Sequence, residues 1–278
     1  RVVATIAKSI IGETGSMTEP SRELVSKYWD EQPCDSEGLG FPEGSLEFFE
    51  EMEERRYRYQ SFIHSFAQFT RWRGKKVLEV GCGCGTDFLQ FTRAGAETYA
   101  VDLSQHSVEL AKKRLKLYGL KAEVRQRDNE GLPFPDNYFD LIYSWGVLHH
   151  SPHPEIDVAE IYRVLKPGGC LKVMVYYRNS PYWLYLWLKY ALLKGRIFTS
   201  LSRLISERQE SPGTRALTMK EIKRLFHQFS PLKFHPAPCL EISFLKKHRA
   251  VSWLANLYPH KLAAWMALDG QKPNEVEL

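Results

Sequence analysis

The sequence has no long hydrophobic run, and it therefore lacks the pattern of a membrane-spanning helix. Its most apolar stretch covers only residues 182–193 and contains Lys189, whereas a span needs about 20 apolar residues. No signal peptide is visible, although the chain begins with Arg1 rather than Met. The default expectation is a cytoplasmic protein.

The sequence also has few cysteines and a small net charge. Five widely spaced cysteines, an odd number, exclude a disulfide framework and are typical of a reduced, intracellular protein. The formal charge of +5 is small, and basic residues alternate with acidic ones, as in residues 50–56. Because a nucleic-acid binder concentrates its basic residues in a stripe, we expect no nucleic-acid partner. The oligomeric state is left open.

Changes in composition divide the chain into five parts. Residues 1–20 are interpreted as a flexible leader. Residues 21–73, rich in charge and aromatics, are predicted to form an N-terminal helical lid with one short helix and one longer helix from Ser45 to Trp72. Residues 74–178 alternate between strand and helix patterns. Residues 179–218 form an aromatic helical insertion or cap, and residues 219–278 supply a helix and closing strands.

The alternation in residues 74–178 predicts an α/β fold with a mostly parallel sheet and helices on both faces. Strands are expected at 77–81, 97–102, 122–126, 139–145 and 169–177, and helices at 85–94, 105–118 and 154–164. A capping box at Thr218 and Glu221 predicts a helix to Phe226. Residues 233–244 and 263–268 would complete seven strands.

A glycine-rich corner directly follows the first predicted strand. Its glycines stand at 81, 83 and 85, a tighter spacing than the G-x-G-x-x-G of dinucleotide sites, which argues against NAD or FAD. Asp102 ends the second strand, where a carboxylate can accept both hydroxyls of a ribose. Asp128 and Asn129 follow the third strand and could meet an adenine amino group.

These motifs together resemble class I S-adenosylmethionine-dependent methyltransferases, particularly the ubiquinone/menaquinone-biosynthesis type. The resemblance covers residues 72–178 and rests on VLEVGCGCGTD (77–87), AVDLSQHSVELAKKRL (100–115), RDNEGLPFPDNYFDLIYSWGVLHH (127–150) and EIYRVLKPGG (160–169). It implies a Rossmann-like fold and S-adenosylmethionine as cofactor, with S-adenosylhomocysteine as product. The residues that it implies at the cofactor are Glu79, Gly81, Cys82, Gly83, Gly85, Thr86, Asp102, Leu103, Asp128, Asn129 and Trp145.

Methyl transfer from a sulfonium needs alignment and exclusion of water, and a base only when the acceptor must lose a proton. His149 and His150 leave strand four at the carboxyl edge of the sheet, so either is a candidate base; either could equally be a packing residue. Cys82 and Cys84 are interpreted as small turn residues. Because Pro152 and Pro154 restrict His153 from joining the other two histidines, no metal is expected.

Aromatic residues in the lid and the insertion are the candidates for shaping an acceptor pocket. In the lid these are Tyr28, Trp29 and Tyr57, and in the insertion Tyr182 and Trp183; docking onto the core is the alternative role. The acceptor is expected to be small and hydrophobic or aromatic. Lys189, Lys194, Arg196 and Arg203 flank the apolar stretch, so residues 182–203 could also make a peripheral membrane contact, although a core-capping role is favoured.

The sequence also bears on three other functions. Nucleic-acid amino-methyltransferases resemble one another in a D/N-P-P-Y/F segment, where residues 144–147 here read SWGV. A polyamine-synthase-like site would need acids at the same corner. A catalytically silent cofactor-binding module, acting through its aromatic insertion, stays open as the alternative.

Overall fold

The computed structural model describes residues 21–127, 131–195, 197–208, 210–238 and 263–274. Its helices are α1 (Arg22–Glu31), α2 (Leu46–Tyr59), α3 (Phe62–Ala67), α4 (Thr86–Arg93), α5 (Gln105–Leu117), α6 (Pro154–Val164), α7 (Pro181–Tyr190), α8 (Leu201–Arg208) and α9 (Met219–Leu225), with 3-10 turns at Phe69–Trp72 and Leu192–Lys194. Its strands are β1 (Lys76–Val80), β2 (Glu97–Asp102), β3 (Glu123–Gln126), β4 (Phe139–Trp145), β5 (Leu165–Tyr176), β6 (Lys233–Pro238) and β7 (Ala263–Gln271).

The seven strands form one sheet in the order β3-β2-β1-β4-β5-β7-β6. The first five strands in this order, from β3 to β5, run parallel to one another, and β7 pairs antiparallel with both β5 and β6. The predicted Rossmann-like fold with a mostly parallel seven-stranded sheet is therefore confirmed.

Both faces of the sheet are buried, as the continuous apolar runs of its strands require. Neighbouring residues of one strand enter different apolar clusters: Val77 packs with α3 and the 3-10 turn after it, whereas Leu78 packs with α6 and α9. Leu141 and Ile142 divide in the same way in β4. Helices therefore cover the sheet on both sides, and the carboxyl ends of β1, β2 and β4 meet at one open edge.

The prediction of one continuous helix from Ser45 to Trp72 is wrong, because the structure has two helices and a 3-10 turn there. The chain breaks after Tyr59 and again at Gln68, which has a left-handed φ of 55°. No glycine or proline marks either break in the sequence. The reason is packing. Helix α2 buries Phe48 and Phe49 in the apolar cluster that includes α5, whereas α3 buries Ile63 against β1 and β4. One straight helix cannot reach both clusters.

Several predicted boundaries also shift. Strand β5 begins at Leu165 instead of 169, because Leu165 pairs with Phe139 before the register jumps and resumes at Cys170 opposite Leu141. Strand β7 extends three residues beyond the predicted 268. Of the predicted strand 233–244, residues 233–238 form β6, and residues 239–244 lie outside the described residues. The capping box at Thr218 is confirmed.

Candidate functional site

A cavity opens at the carboxyl edge of the sheet, where the strand order turns from β1 to β4. Open α/β sheets place their ligands at such a point. The cavity is lined by the loops after β1, β2 and β4 and by helix α1 of the lid. The predicted site residues that line it are Glu79, Gly81, Cys82, Gly83, Thr86, Asp102, Leu103, Trp145, His150 and Trp29.

The first glycine of the corner cannot be replaced by a larger residue. Gly81 has a φ of +77°, and a Cβ built on it would lie 2.3 Å from Cγ2 of Val147. The glycine therefore lets the loop after β4 approach the loop after β1. Gly85 serves differently: it does not line the cavity, and a Cβ there would meet Ala111 of α5 at 3.3 Å.

Two carboxylates stand at the ends of β1 and β2. The Glu79 side chain is buried, and among the described residues its Oε2 has no hydrogen-bond partner. Burial, with the nearby charges of Asp87 and Asp102, raises the pKa of Glu79 well above its usual value. Asp102 accepts hydrogen bonds from the backbone N–H of Gly83 at 2.7 Å and of Ser104 at 2.9 Å. Burial raises the pKa of Asp102, and these bonds oppose that rise.

A third buried carboxylate, Asp87, ties the lid to the core. Arg56 of α2 donates to both of its oxygens, Nε at 3.0 Å and Nη2 at 2.6 Å, and this paired geometry is the strongest that arginine makes with a carboxylate. The hydroxyls of Tyr57 and Tyr143 each donate to Asp87 at 2.9 Å. Asp87 and Tyr143 are site residues that sequence analysis missed.

Helix α1 closes the cavity from above. Arg22 donates to Asp157 at 2.6 Å, and Arg127 donates to the same carboxylate oxygen at 2.8 Å. Asp30 accepts from the hydroxyl of Ser104 at 2.7 Å. Because these contacts join α1 to α5 and α6, the lid covers the cavity and brings Trp29 into its wall.

The two candidate histidines have different surroundings. His149 is buried, does not line the cavity, and stacks on the Tyr176 ring at 3.8 Å. Neither of its ring nitrogens has a hydrogen-bond partner among the described residues. Burial lowers the pKa of His149 well below its usual value, and the nearby His150 contributes a smaller part of this shift. His150 lines the cavity, and its ring lies 5.3 Å from that of Trp29.

His150 is held by the segment that follows α8. Its Nδ1 lies 2.8 Å from Oγ1 of Thr214, and that hydroxyl already donates its one hydrogen to the carbonyl of Ser211. Nδ1 also lies 2.9 Å from Oγ of Ser211, a hydroxyl that can donate to it. Nε2 lies 3.0 Å from Oε2 of Glu210, a residue that sequence analysis missed. Because an ionised carboxylate can only accept, the contact of Nε2 with Glu210 needs the proton on Nε2, which leaves Nδ1 as the basic nitrogen.

Glu210 also accepts a hydrogen bond from the hydroxyl of Tyr176 at 2.9 Å. Burial acts to raise the pKa of Glu210, but the hydrogen bonds and charge of His150 outweigh it and lower that pKa. The carboxylate in turn raises the pKa of Tyr28 to about 12, together with the larger effect of burial. An ionised Glu210 therefore accepts a hydrogen bond from Nε2–H of His150.

The remaining predicted residues lie away from the cavity wall or outside the described residues. Tyr28 packs edge-on against Trp29, and Tyr57 contacts Asp87. Trp183 is buried and donates to the carbonyl of Tyr177 at 2.7 Å, with the Tyr182 ring 4.9 Å from its own. Asp128 and Asn129 lie outside the described residues.

One group of side chains, two histidines and a glutamate, has the residue types of a metal site. The ligand atoms of His149, His150 and Glu210 lie within 4.8 Å of one another. Catalytic zinc can be held by two histidines and a glutamate. The hydrogen bond between His150 and Glu210 accounts for two of the three ligands without a metal, so the expectation of no metal stays a prediction.

Comparison with known proteins gives matches in the region of the cavity. Residues 77–169 match the family described as a methyltransferase domain. The chain is 33% identical over 177 residues to a phthiotriol/phenolphthiotriol dimycocerosates methyltransferase of Mycobacterium tuberculosis, covering 58% of this chain and 63% of that protein. It is 35% identical over 162 residues to a fatty-acid O-methyltransferase of Mycolicibacterium smegmatis, covering 55% and 58%.

A third relative is the ubiquinone/menaquinone biosynthesis C-methyltransferase of Nitrosospira multiformis, 29% identical over 141 residues, or 50% of this chain and 57% of that protein. The chain thus matches less than two thirds of the length of these relatives. Among solved structures, a methyltransferase in complex with the Haloferax volcanii Trm112 activator superposes with a TM-score of 0.59 at 17% identity, covering 83% of this chain and 96% of that one.

Proposed function

We propose that the chain transfers a methyl group from S-adenosylmethionine to a small, hydrophobic or aromatic organic acceptor, since residues 77–169 match a methyltransferase domain and the relatives are methyltransferases. We favour an oxygen or carbon of the acceptor over a nitrogen. The printed names of two relatives, a fatty-acid O-methyltransferase and a C-methyltransferase of quinone biosynthesis, support an apolar acceptor and both kinds of target atom.

The observation that carries this proposal is the unpaired, buried carboxylate oxygen of Glu79 beside the glycine corner. A buried polar atom without a partner is costly, and a ligand cation would remove that cost. The ammonium of the cofactor's methionine part supplies such a cation. Asp102 and Leu103, which line the cavity next to the glycine corner, would then hold the ribose.

Further cofactor contacts follow from the family resemblance. Gly83 and Thr86 would line the methionine and ribose side, and Trp145 would close the floor. The indole of Trp145 donates to the Gln60 side chain at 3.0 Å, so the lid helps to fix that floor. Asp128 and Asn129 would bracket the adenine.

We assign the base to His150. With Nε2–H donated to Glu210, Nδ1 can accept, through the hydroxyl of Ser211, the proton that an acceptor hydroxyl loses as the methyl is transferred. Glu210 then stabilises the resulting imidazolium at 3.0 Å. The cofactor supplies the electrophilic methyl group, and the protein aligns the two reactants and excludes water through the lid. His149 acts as a packing partner of Tyr176.

Calorimetry and an acceptor screen test the proposal. S-adenosylmethionine and S-adenosylhomocysteine should bind, NAD should not, and Glu79→Gln should weaken binding of both adenosyl ligands. Methyl-labelled cofactor, offered with hydroxylated or carboxylated apolar acceptors, should give labelled product. Binding without turnover of any acceptor would favour the alternative, a silent cofactor-binding module, and absence of binding would refute both.

A further inference from the structure

Exposed apolar side chains are concentrated on the outer side of α7 and the turn that follows it. Among the described residues, ten large hydrophobic side chains are exposed, and six of them lie between residues 184 and 198. Such a concentration of exposed apolar side chains in one segment is typical of an interaction site. We call it the cap surface, and its members are Leu184, Leu188, Leu192, Leu193, Ile197 and Phe198.

Both ends of this segment are held against the protein. Trp183, at the start of α7, is buried, and its indole donates to the carbonyl of Tyr177 at 2.7 Å. The indole of Trp187 donates to the carbonyl of Thr199 at 2.8 Å, directly beside Phe198. The Phe198 side chain is 96% exposed and that of Leu193 is 80% exposed. These exposures therefore belong to a segment that is fixed at both ends.

The chain segment that carries the cap surface has charge of one sign. No Asp or Glu occurs between Glu160 and Glu207, while residues 179–206 contain four basic residues, Lys189, Lys194, Arg196 and Arg203. The Lys189 ammonium lies 5.0 Å from the centre of the Tyr190 ring, and the Lys194 ammonium 5.5 Å from the same ring. Long basic side chains beside tyrosines and exposed apolar residues are typical of the interface between a membrane and water.

We propose that the cap surface docks on an anionic lipid bilayer, with α7 lying in the plane of the interface. None of the described helices is long and apolar enough to cross a membrane, so the contact is peripheral. A second copy of this chain is a poorer occupant. In a twofold dimer the same surface meets itself, so Lys189 and Lys194 of each copy would oppose those of the other.

The two faces of α7 thus have different roles. One face packs on the core, where the Trp183 ring lies 5.7 Å from that of Tyr176, which stacks on His149. The other face carries Leu184 and Leu188 towards lipid. The proposal rests on the exposed residues and their charges, and it does not depend on methyl transfer.

Co-sedimentation with vesicles tests the proposal on the whole chain. We expect binding to vesicles of phosphatidylcholine mixed with phosphatidylglycerol, and at least about tenfold weaker binding to phosphatidylcholine alone, because each basic residue near an anionic surface adds attraction. Phe198→Glu should weaken binding by about tenfold or more, since it removes a large apolar side chain from the contact.

The matched control is Leu117→Glu, which places the same charge at another exposed apolar position, on α5. It should bind vesicles like the unchanged protein. Lys189→Gln with Lys194→Gln should reduce the preference for phosphatidylglycerol. Circular dichroism checks the folding of every variant, and its result is independent of cofactor binding.

Three outcomes would overturn the proposal. The first is equal vesicle binding by Phe198→Glu and Leu117→Glu. The second is equal binding to both kinds of vesicle. The third is a dimer in sedimentation velocity that Phe198→Glu dissociates, with no binding of vesicles by the unchanged protein.

Discussion

The carboxylate of Glu210 lies 3.0 Å from Nε2 of His150 and 2.9 Å from the hydroxyl of Tyr176, so a residue of the cap segment touches the proposed base directly. This contact connects the insertion after β5 with the corner after β4. In the proposed reaction it would give the insertion a chemical role in addition to packing.

We predict that Glu210→Gln lowers kcat by about 10- to 100-fold, because a hydrogen bond to a charged group contributes about 1.5–3 kcal/mol. The affinity for S-adenosylmethionine should stay unchanged, since Glu210 does not line the cofactor cavity. Steady-state kinetics with calorimetry separates the two effects. Glu54→Gln, which changes an exposed carboxylate paired with Arg58, is the control. Equal kcat in both variants would remove Glu210 from the mechanism.

A second prediction concerns the buried pair of Arg56 and Asp87. Arg56→Met should lower the free energy of unfolding by about 3–5 kcal/mol, because it leaves a buried carboxylate without its cation. Arg58→Met, which breaks an exposed pair, should cost less than about 1 kcal/mol. Denaturant unfolding measures both. Similar losses in the two variants would mean that Asp87 does not depend on the lid arginine.

A third prediction follows from the glycine corner. Gly81→Ala should abolish cofactor binding, because its Cβ would overlap Val147 at 2.3 Å in addition to the strain of a positive φ. Gly119→Ala is the matched control: its φ is +64°, and no atom lies within 4 Å of the added Cβ. That variant should lose about 1–2 kcal/mol of stability and keep its cofactor affinity.

Adding Val147→Ala to Gly81→Ala should recover part of the affinity, since it removes the methyl groups that clash. Calorimetry with S-adenosylhomocysteine measures each step. If Gly81→Ala alone bound normally, the close approach of the two loops would have no part in the site.

A fourth prediction concerns pH and stability. The pKa of His149 is lowered in the folded protein, so below about pH 6.5 the unfolded chain binds a proton that the folded chain does not. The free energy of unfolding should therefore fall as the pH falls from about 6.5, by up to about 1.4 kcal/mol per pH unit from this residue. Above that pH its contribution should be constant.

His149→Phe, which can still stack on Tyr176, should remove this part of the pH dependence. Urea unfolding at several pH values compares it with the unchanged protein and with His227→Gln, a change at an exposed histidine. An identical slope in all three proteins would contradict the lowered pKa. Loss of turnover in His149→Phe with normal stability would make His149, rather than His150, the base.

The parts of the fold that were predictable depend on local pattern. Short β-branched runs ended by glycine located β1 and the corner after it, and the position of Asp102 at the end of β2 followed from the same strand rule. Because parallel strands bring their carboxyl ends to one edge, residues from three strands could be assigned to one cavity without coordinates.

Contacts between distant segments could not be predicted in this way. The sequence around Glu210 shows a turn, at Pro212 and Gly213, but no sign that its carboxylate meets His150. The breaks at Gln60 and Gln68 depend on which core face each short helix covers, and neither residue is a helix breaker. The choice between His149 and His150 likewise depended on burial, which two adjacent histidines in a sequence do not reveal.

The position of β7 affects the order in which the protein can be assembled. Because β6 reaches the sheet only by pairing with β7, residues 233–238 have no hydrogen-bonded neighbour in the sheet until residues 263–271 have left the ribosome. The edge of β5 that receives β7 stays unpaired for longer, while roughly 90 residues are synthesised between the end of β5 and the start of β7. Nascent chains halted before residue 263 should therefore expose that edge and be prone to aggregate.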